Sequence, residues 1–294
     1  MLDFIRVLIL SLVEGVTEFL PVSSTGHLIL VNEFVALRPD ELANAFNVII
    51  QLGAILAVVV IYFNKLNPFP KSKLEHGRFP KALEEKGTKN RLIKKVFYWF
   101  EHNATAMLWL KIIVAVIPSA VLGLIFDDKI EELLFKPIPV ALALVVYGVI
   151  IIFMERHNAK KETFKFTDVK QLSFKTAFLI GLFQVLAMWP GTSRSAATII
   201  GAMILGLNRT AAAEFSFFLA IPTMVGASLL KIVKTTGVTS YGWSLVALGF
   251  VLSFIFAYVV IKKFLDYIKK HDFKVFGYYR LVVGALVFLY FAFL

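Results

Sequence analysis

The chain has 294 residues, 59% of them hydrophobic and 17% charged, with a formal net charge of +11 and no cysteine. Soluble domains carry about 25% charged residues, so an ordinary soluble globular protein is excluded. The lack of cysteine removes disulfides, thiolate catalysis and cysteine-based metal sites.

The first region, 1–36, opens MLDFIRVLIL. It lacks a basic n-region and a small-residue cleavage site, so it reads as mature sequence rather than a signal peptide. Its middle carries EGVTEFLPVSSTGHLIL, residues 14–30, in which the polar knot PVSSTG (21–26) parts two helical arms. Asp, Lys or Arg at mid-bilayer costs roughly 2.5–3.5 kcal/mol on insertion scales. Glu14, Glu18 and His27 between Leu, Val and Phe therefore ask for a compensating function. A full span follows over 43–64, then a basic loop over 65–102, then spans over 103–126 and 137–155. A second broken region, 173–206, is interrupted by PGTSRS (190–195) and precedes spans over 210–233, 243–264 and 275–294. The arm after each break, about 15 residues, is short for a spanning helix, which needs about 20. The alternating segments of a membrane barrel are absent. The pattern predicts an all-α polytopic membrane protein with six transmembrane helices and two re-entrant helical hairpins.

A shift of 169 residues lays Pro21 on Pro190, Ser24 on Ser193 and Phe46 on Phe215, and brings Glu14 near Gln184 after a one-residue gap. If each broken region enters and leaves on one side, twenty-two Lys and Arg (in 65–102, 156–175, 209 and 262–274) share one face. The other face receives Arg6, Arg38, Lys129, Lys136, Lys231 and Lys234. The positive-inside rule makes the first face cytoplasmic and places both termini outside. Lys111 and Arg280, near span ends, are expected to snorkel. The basic balance is thus topological, set by loops against an anionic leaflet, and no nucleic-acid partner is needed. Three spans separate the hairpins, so the second enters from the opposite side. The chain then divides into two inverted repeats, 1–155 and 173–294, whose tips meet near the midplane.

Irregular backbone at membrane depth survives only when buried in protein or lining a wet cavity, so the tips SSTG and GTSRS predict a shared polar cavity. Each precedes a new helix, and a helix N-terminus suits anionic ligands, phosphate above all. Arg194 adds the side chain best shaped for bidentate contact with phosphate. Glu14 and Glu18 share a helix face; a bridging cation, a protonated carboxyl or general-base duty would reconcile them with a diphosphate. Oxygen ligands without cysteine favour Mg²⁺ or Ca²⁺. His27, one turn past Ser24, would make a base–nucleophile pair with it. Asn47, Gln51 and Glu214 are candidates to line the cavity. Gly201 and Gly206 suit close helix packing.

EGVTEFLPVSSTGH and PGTSRSA, followed by AAAEFSFFLAIP, closely resemble the undecaprenyl-diphosphate phosphatase family associated with bacitracin resistance. The one visible departure is Ala196, where the family's second motif usually ends in glycine. The resemblance implies hydrolysis of a C55 polyprenyl diphosphate to the monophosphate in the bacterial cytoplasmic membrane, recycling the lipid carrier for cell-wall synthesis. It implies a catalytic set of Glu14, Glu18, Ser24, His27 and Arg194, with the divalent cation on Glu14 and Glu18. Ser23, Thr25, Gly26, Gly191, Thr192, Ser193 and Ser195 would contact substrate. The active site would face the outside, among membrane lipids, and a homo-oligomer is compatible with this reading. The nucleophile is either Ser24, assisted by His27 or a glutamate, or a water activated by Glu18 or metal. A transporter or flippase of an anionic polyprenyl lipid is the alternative, since paired half-helices at the midplane are also transporter architecture. A carrier, however, has no need of the serine, histidine and glutamates together. A non-catalytic scaffold would leave the intramembrane charges unexplained.

Overall fold

The computed structural model describes residues 2–69, 99–100, 103–158 and 163–292. Most of the basic loop 65–102 lies outside them. Among the described residues there is no strand, only an isolated bridge between Phe166 and Leu207. The helices are α1 (Leu2–Thr17), α2 (Ser24–Val35), α3 (Asp40–Ile61), α4 (Phe63–Leu66), α5 (Ala104–Leu134), α6 (Pro137–Asn158), α7 (Phe174–Val185), α8 (Arg194–Ile204), α9 (Arg209–Lys234), α10 (Ser240–Ile268) and α11 (Lys274–Ala292). Six of them, α3, α5, α6, α9, α10 and α11, are long and apolar enough to cross a membrane. The chain is an all-α, multi-pass membrane protein, as its hydropathy pattern predicts.

The helices overrun several predicted spans because apolarity and helicity end at different places. The α5 helix runs to Leu134, past the predicted limit of 126, because FDDKIEELL contains neither proline nor glycine to stop it. The α10 helix begins at Ser240, where Thr239 Oγ1 accepts a hydrogen bond from Gly242 N at 3.1 Å. Asn208 caps α9 in the same way through Ala211 N at 2.8 Å. The arms after the two breaks have only 12 and 11 helical residues, shorter still than expected.

Four helix contacts organise the bundle. The α1 helix lies on α10 and α7 lies on α5; α3 meets α10 and α9 meets α5. Close backbone approach underlies the first two contacts. A Cβ at Gly181 would fall 2.0 Å from Ala115 O, and one at Gly15 would fall 2.6 Å from Phe256 Cβ. Small residues at such crossings are the usual device where lipid supplies no hydrophobic drive. The centre is filled by α9, whose Phe215, Phe217 and Phe218 are all fully buried. Phe217 meets Phe19 edge to face at 5.1 Å, joining this core to the end of the first broken helix.

Two ion pairs close one end of the bundle. Arg209 grips the fully buried Glu155 through Nη2–Oε2 at 2.7 Å and Nε–Oε1 at 3.0 Å, and Phe273 N also donates to Oε1. Three donors thus satisfy this carboxylate, the condition under which a buried charge is tolerated. Lys65 Nζ pairs with Glu214 Oε2 at 2.5 Å. The snorkelling expected of Arg280 is not found: it is fully buried and turned inward to backbone carbonyls, because α11 packs along α6 instead of presenting that face to lipid. Lys111 Nζ donates to Lys170 O at 3.0 Å.

Candidate active site

Both breaks are built alike. Each new helix starts after a serine with positive φ, Ser23 at 76° and Ser193 at 74°, the two non-glycine residues in this region of backbone space among the described residues. Such conformations cost of order 1–3 kcal/mol and collect at functional sites. Each serine then caps its own helix. Ser23 Oγ accepts from Gly26 N and Ser193 Oγ accepts from Ala196 N, both at 3.2 Å. The cap geometry pairs Ser23 with Ser193, so the expected match of Ser24 with Ser193 is one residue off. The second tip has an extra residue between proline and cap. The residue matching Arg194, first in α8, is Ser24, first in α2.

The two tips touch. Ser195 Oγ donates to Leu20 O at 2.9 Å, which obliges the Ser193 hydroxyl to be the donor in its 2.9 Å contact with Ser195 Oγ. A Cβ at Gly26 would lie 3.5 Å from Gly191 Cα. Two helix N-termini therefore converge, each with unpaired N–H groups and a partial positive charge.

Glu18 stands at the junction. Its Oε1 accepts from Arg194 Nη2 at 3.0 Å, and its Oε2 accepts from the Ser24 hydroxyl. Arg194 is held from behind by α9, its Nη1 donating to Ser216 O at 3.0 Å. Thr198 Oγ1 donates to Arg194 O at 2.8 Å and accepts from Ser216 Oγ at 2.6 Å. Arg194 Nε is buried without a partner, leaving a donor free for an anion. A cavity of about 320 Å³ opens here, with Glu18, Ser23, Ser24, Thr25, Ser193 and Arg194 on its polar side. Met188, Trp189, Ile130, Phe135 and Met224 form the apolar wall. A lining that combines polar groups with large apolar side chains suits an amphiphile with an anionic head.

The remaining expected residues divide. Gly191 and Gln51 line the cavity; Gly26, Thr192 and Ser195 do not, Gly26 and Ser195 lying in the tip contact and Thr192 Oγ1 being buried and unpartnered. Asn47 and Glu214 are not on its wall, Glu214 being engaged by Lys65. His27 does not face Ser24. Its Nδ1 meets Ser23 O at 2.7 Å and its Nε2 meets Tyr279 OH at 2.8 Å. A carbonyl only accepts, so Nδ1 carries the proton and Nε2 accepts from the tyrosine. One helical turn does bring His27 back over the tip, but over the cap carbonyl of Ser23.

Glu14 is fully buried, and apart from the Glu18 carboxyl group no hydrogen-bonding group reaches its carboxylate oxygens. It is close enough to Glu18 and Arg194 to interact with both. Two carboxylates so placed fit a hard divalent cation. Among the described residues no cluster of three or more His, Asp or Glu exists. Such an ion would need phosphate oxygens and water to complete its shell, as Mg²⁺ commonly does. Gln184, which the sequence shift sets near Glu14, is engaged elsewhere: its amide donates to Ser119 Oγ at 2.6 Å and more weakly to Thr223 Oγ1. Sequence reasoning missed Ser216, Thr198, Tyr279 and Arg280. The polar Ser216 within EFSFFLAIP was the one available signal; the others depend on tertiary contacts.

The family model described as "Bacitracin resistance protein BacA" matches residues 7–286. The chain is 50% identical over 293 residues to "Undecaprenyl-diphosphatase 1" of Clostridioides difficile (strain 630), covering 99% of this chain and 97% of that protein. It is 48% identical over 299 residues to "Undecaprenyl-diphosphatase" of Limosilactobacillus fermentum, covering 100% and 99%. It is 47% identical over 293 residues to "Undecaprenyl-diphosphatase" of Enterococcus faecalis, covering 98% of each. With the match running from α1 into α11 and including both tips, the chain belongs to the bacitracin resistance protein BacA family.

Proposed function

We propose that the chain is an integral membrane phosphatase that hydrolyses undecaprenyl diphosphate to undecaprenyl phosphate and inorganic phosphate. That step returns the lipid carrier to peptidoglycan synthesis and gives bacitracin resistance. The observation that carries this reading is Glu18 bridging Ser24 and Arg194 where two helix N-termini meet in one cavity. The names of the full-length relatives agree with it.

The polyprenyl tail lies along the apolar wall while the diphosphate settles between the tips. There it takes over the Arg194 guanidinium, leaving Glu18 to face Ser24. Ser24 Oγ attacks the terminal phosphorus and its proton passes to Glu18. The bond from that phosphorus to the bridging oxygen breaks, and polyprenyl phosphate leaves. Water then supplies hydroxide to the phosphoserine phosphorus, Glu18 returns its proton to Ser24 Oγ, and the other proton of the water departs to solvent. Phosphoryl transfer is chiefly positioning and charge stabilisation, which this set supplies. Glu14 and Glu18 would hold a divalent cation, Mg²⁺ or Ca²⁺, which when bound neutralises charge on phosphate oxygens. His27 orders the first tip through the Ser23 carbonyl.

In the membrane, the packing of α1 on α10 and of α7 on α5 supports an inverted repeat with two re-entrant hairpins, divided as 1–155 and 173–294. The cavity wall includes Ile130 and Phe135, beside Lys129 and Lys136 on the sparsely basic face. That supports a site open to the outside, with both termini on that side. The test is phosphate release from a C55 polyprenyl diphosphate by purified protein. Release that stops with chelator and returns with Mg²⁺ or Ca²⁺ is expected. No release under any cation contradicts the reading, and lipid transfer between leaflets without release would replace it with transport.

A further inference from the structure

Arg280 is the bulkiest of the fully buried side chains, and among the described residues no carboxylate pairs with it. A buried cation without a counter-ion is costly, and an apolar residue would pack the same space more cheaply. Its hydrogen bonds show what it does instead. Nη1 donates to Pro21 O at 3.1 Å and Nη2 to Gly191 O at 2.5 Å, with longer contacts of 3.4 Å to Ala143 O and Leu144 O. The two short contacts reach both tips, and at equivalent places: Pro21 precedes the cap Ser23 by two residues, and Gly191 precedes the cap Ser193 by two. The N–H of each same peptide is closed within its own turn, Val22 N to Leu20 O at 2.7 Å and Thr192 N to Trp189 O at 3.1 Å. Each turn peptide is therefore satisfied on one side by its own tip and on the other by this single guanidinium.

We propose that Arg280 is a positioning residue that fixes the spacing and mutual orientation of the two tips, so that Ser24 at the start of α2 and Arg194 at the start of α8 meet one diphosphate. The planar fork of arginine holds two carbonyls at a set separation, whereas the ammonium of lysine is a compact charge on a flexible stem and imposes no such spacing. Tyr279, its neighbour, holds His27 Nε2, so α11 grips the first tip twice. The residue does not line the cavity and acts through the backbone alone. The kinetic consequence rests on the phosphatase reading; the structural consequence does not.

The test compares Arg280→Lys and Arg280→Gln with the parent, in the full chain and normalised to folded protein, so that poor folding of one variant does not decide the matter. The chain has no cysteine, so spin labels on Phe34→Cys in α2 and Ile204→Cys in α8, both exposed to the outside of the bundle, report the separation of the tip helices. The parent should give one narrow distance and each variant a broadened or displaced one. The kcat for phosphate release should fall about 100-fold, the order that an ångström of misplacement costs, with a smaller change in KM. Unchanged distances, or an unchanged kcat per folded molecule, overturns the proposal. A parent that releases no phosphate overturns the phosphatase reading alone, and the distances then still decide for or against the clamp.

Discussion

Arg194→Ala is expected to lower phosphate release by about 10³–10⁵-fold, the range an arginine contributes when it stabilises a transferring phosphoryl group. The side chain is only slightly exposed and is held by Glu18 on one side and by the Ser216 carbonyl on the other. It is therefore already aimed when substrate arrives, and nothing in the cavity wall can substitute for it. Among the cavity-lining residues it is the one cation. Arg194→Lys should recover only part of the loss, because lysine keeps the charge but cannot hold Ser216 O while binding phosphate bidentately. Steady-state phosphate release at saturating substrate measures both. Helical content and yield should stay close to those of the parent, since α9 and the tip contact through Ser195 remain.

Glu18→Gln is the second large effect, with an expected loss of about 10²–10⁴-fold, the scale of a positioned acid–base group. The isosteric amide keeps the shape and a hydrogen bond to Ser24, but it cannot take the proton of the attacking hydroxyl and no longer offsets Arg194. The same mechanism predicts a phosphorylated protein on brief exposure to labelled diphosphate, with the label absent in Ser24→Ala. Persistent turnover in Ser24→Ala would assign the attack to water and leave Glu18 as its base.

Much of the fold was legible because a bilayer permits few solutions. Apolar blocks near 20 residues gave the six crossing helices, and a proline followed by small polar residues gave both breaks. The helix ends were less legible. The α5 helix persists through FDDKIEELL because charged residues end a membrane span without ending a helix. In the site, Glu18, Ser24 and Arg194 were readable as types out of place in lipid, and they do converge. His27 was assigned to Ser24 on helical spacing alone. The turn geometry at Ser23, with its positive φ, directs the imidazole to the cap carbonyl and to Tyr279 instead. Arg280 was misread for a related reason. A basic residue near a span end snorkels by default, and no local signal in FGYYRLVV reveals that two distant carbonyls, Pro21 and Gly191, are waiting for it. Long-range complementarity of this kind has no sequence period.

The most direct measurement is a structure of the protein with a non-hydrolysable polyprenyl methylene-diphosphonate. The diphosphonate should lie between the start of α2 and the start of α8, with the Arg194 guanidinium on its oxygens, the Ser24 hydroxyl facing the terminal phosphorus and the chain along Trp189 and Met224. A headgroup bound elsewhere, with Arg194 still closed on Glu18, would contradict this account.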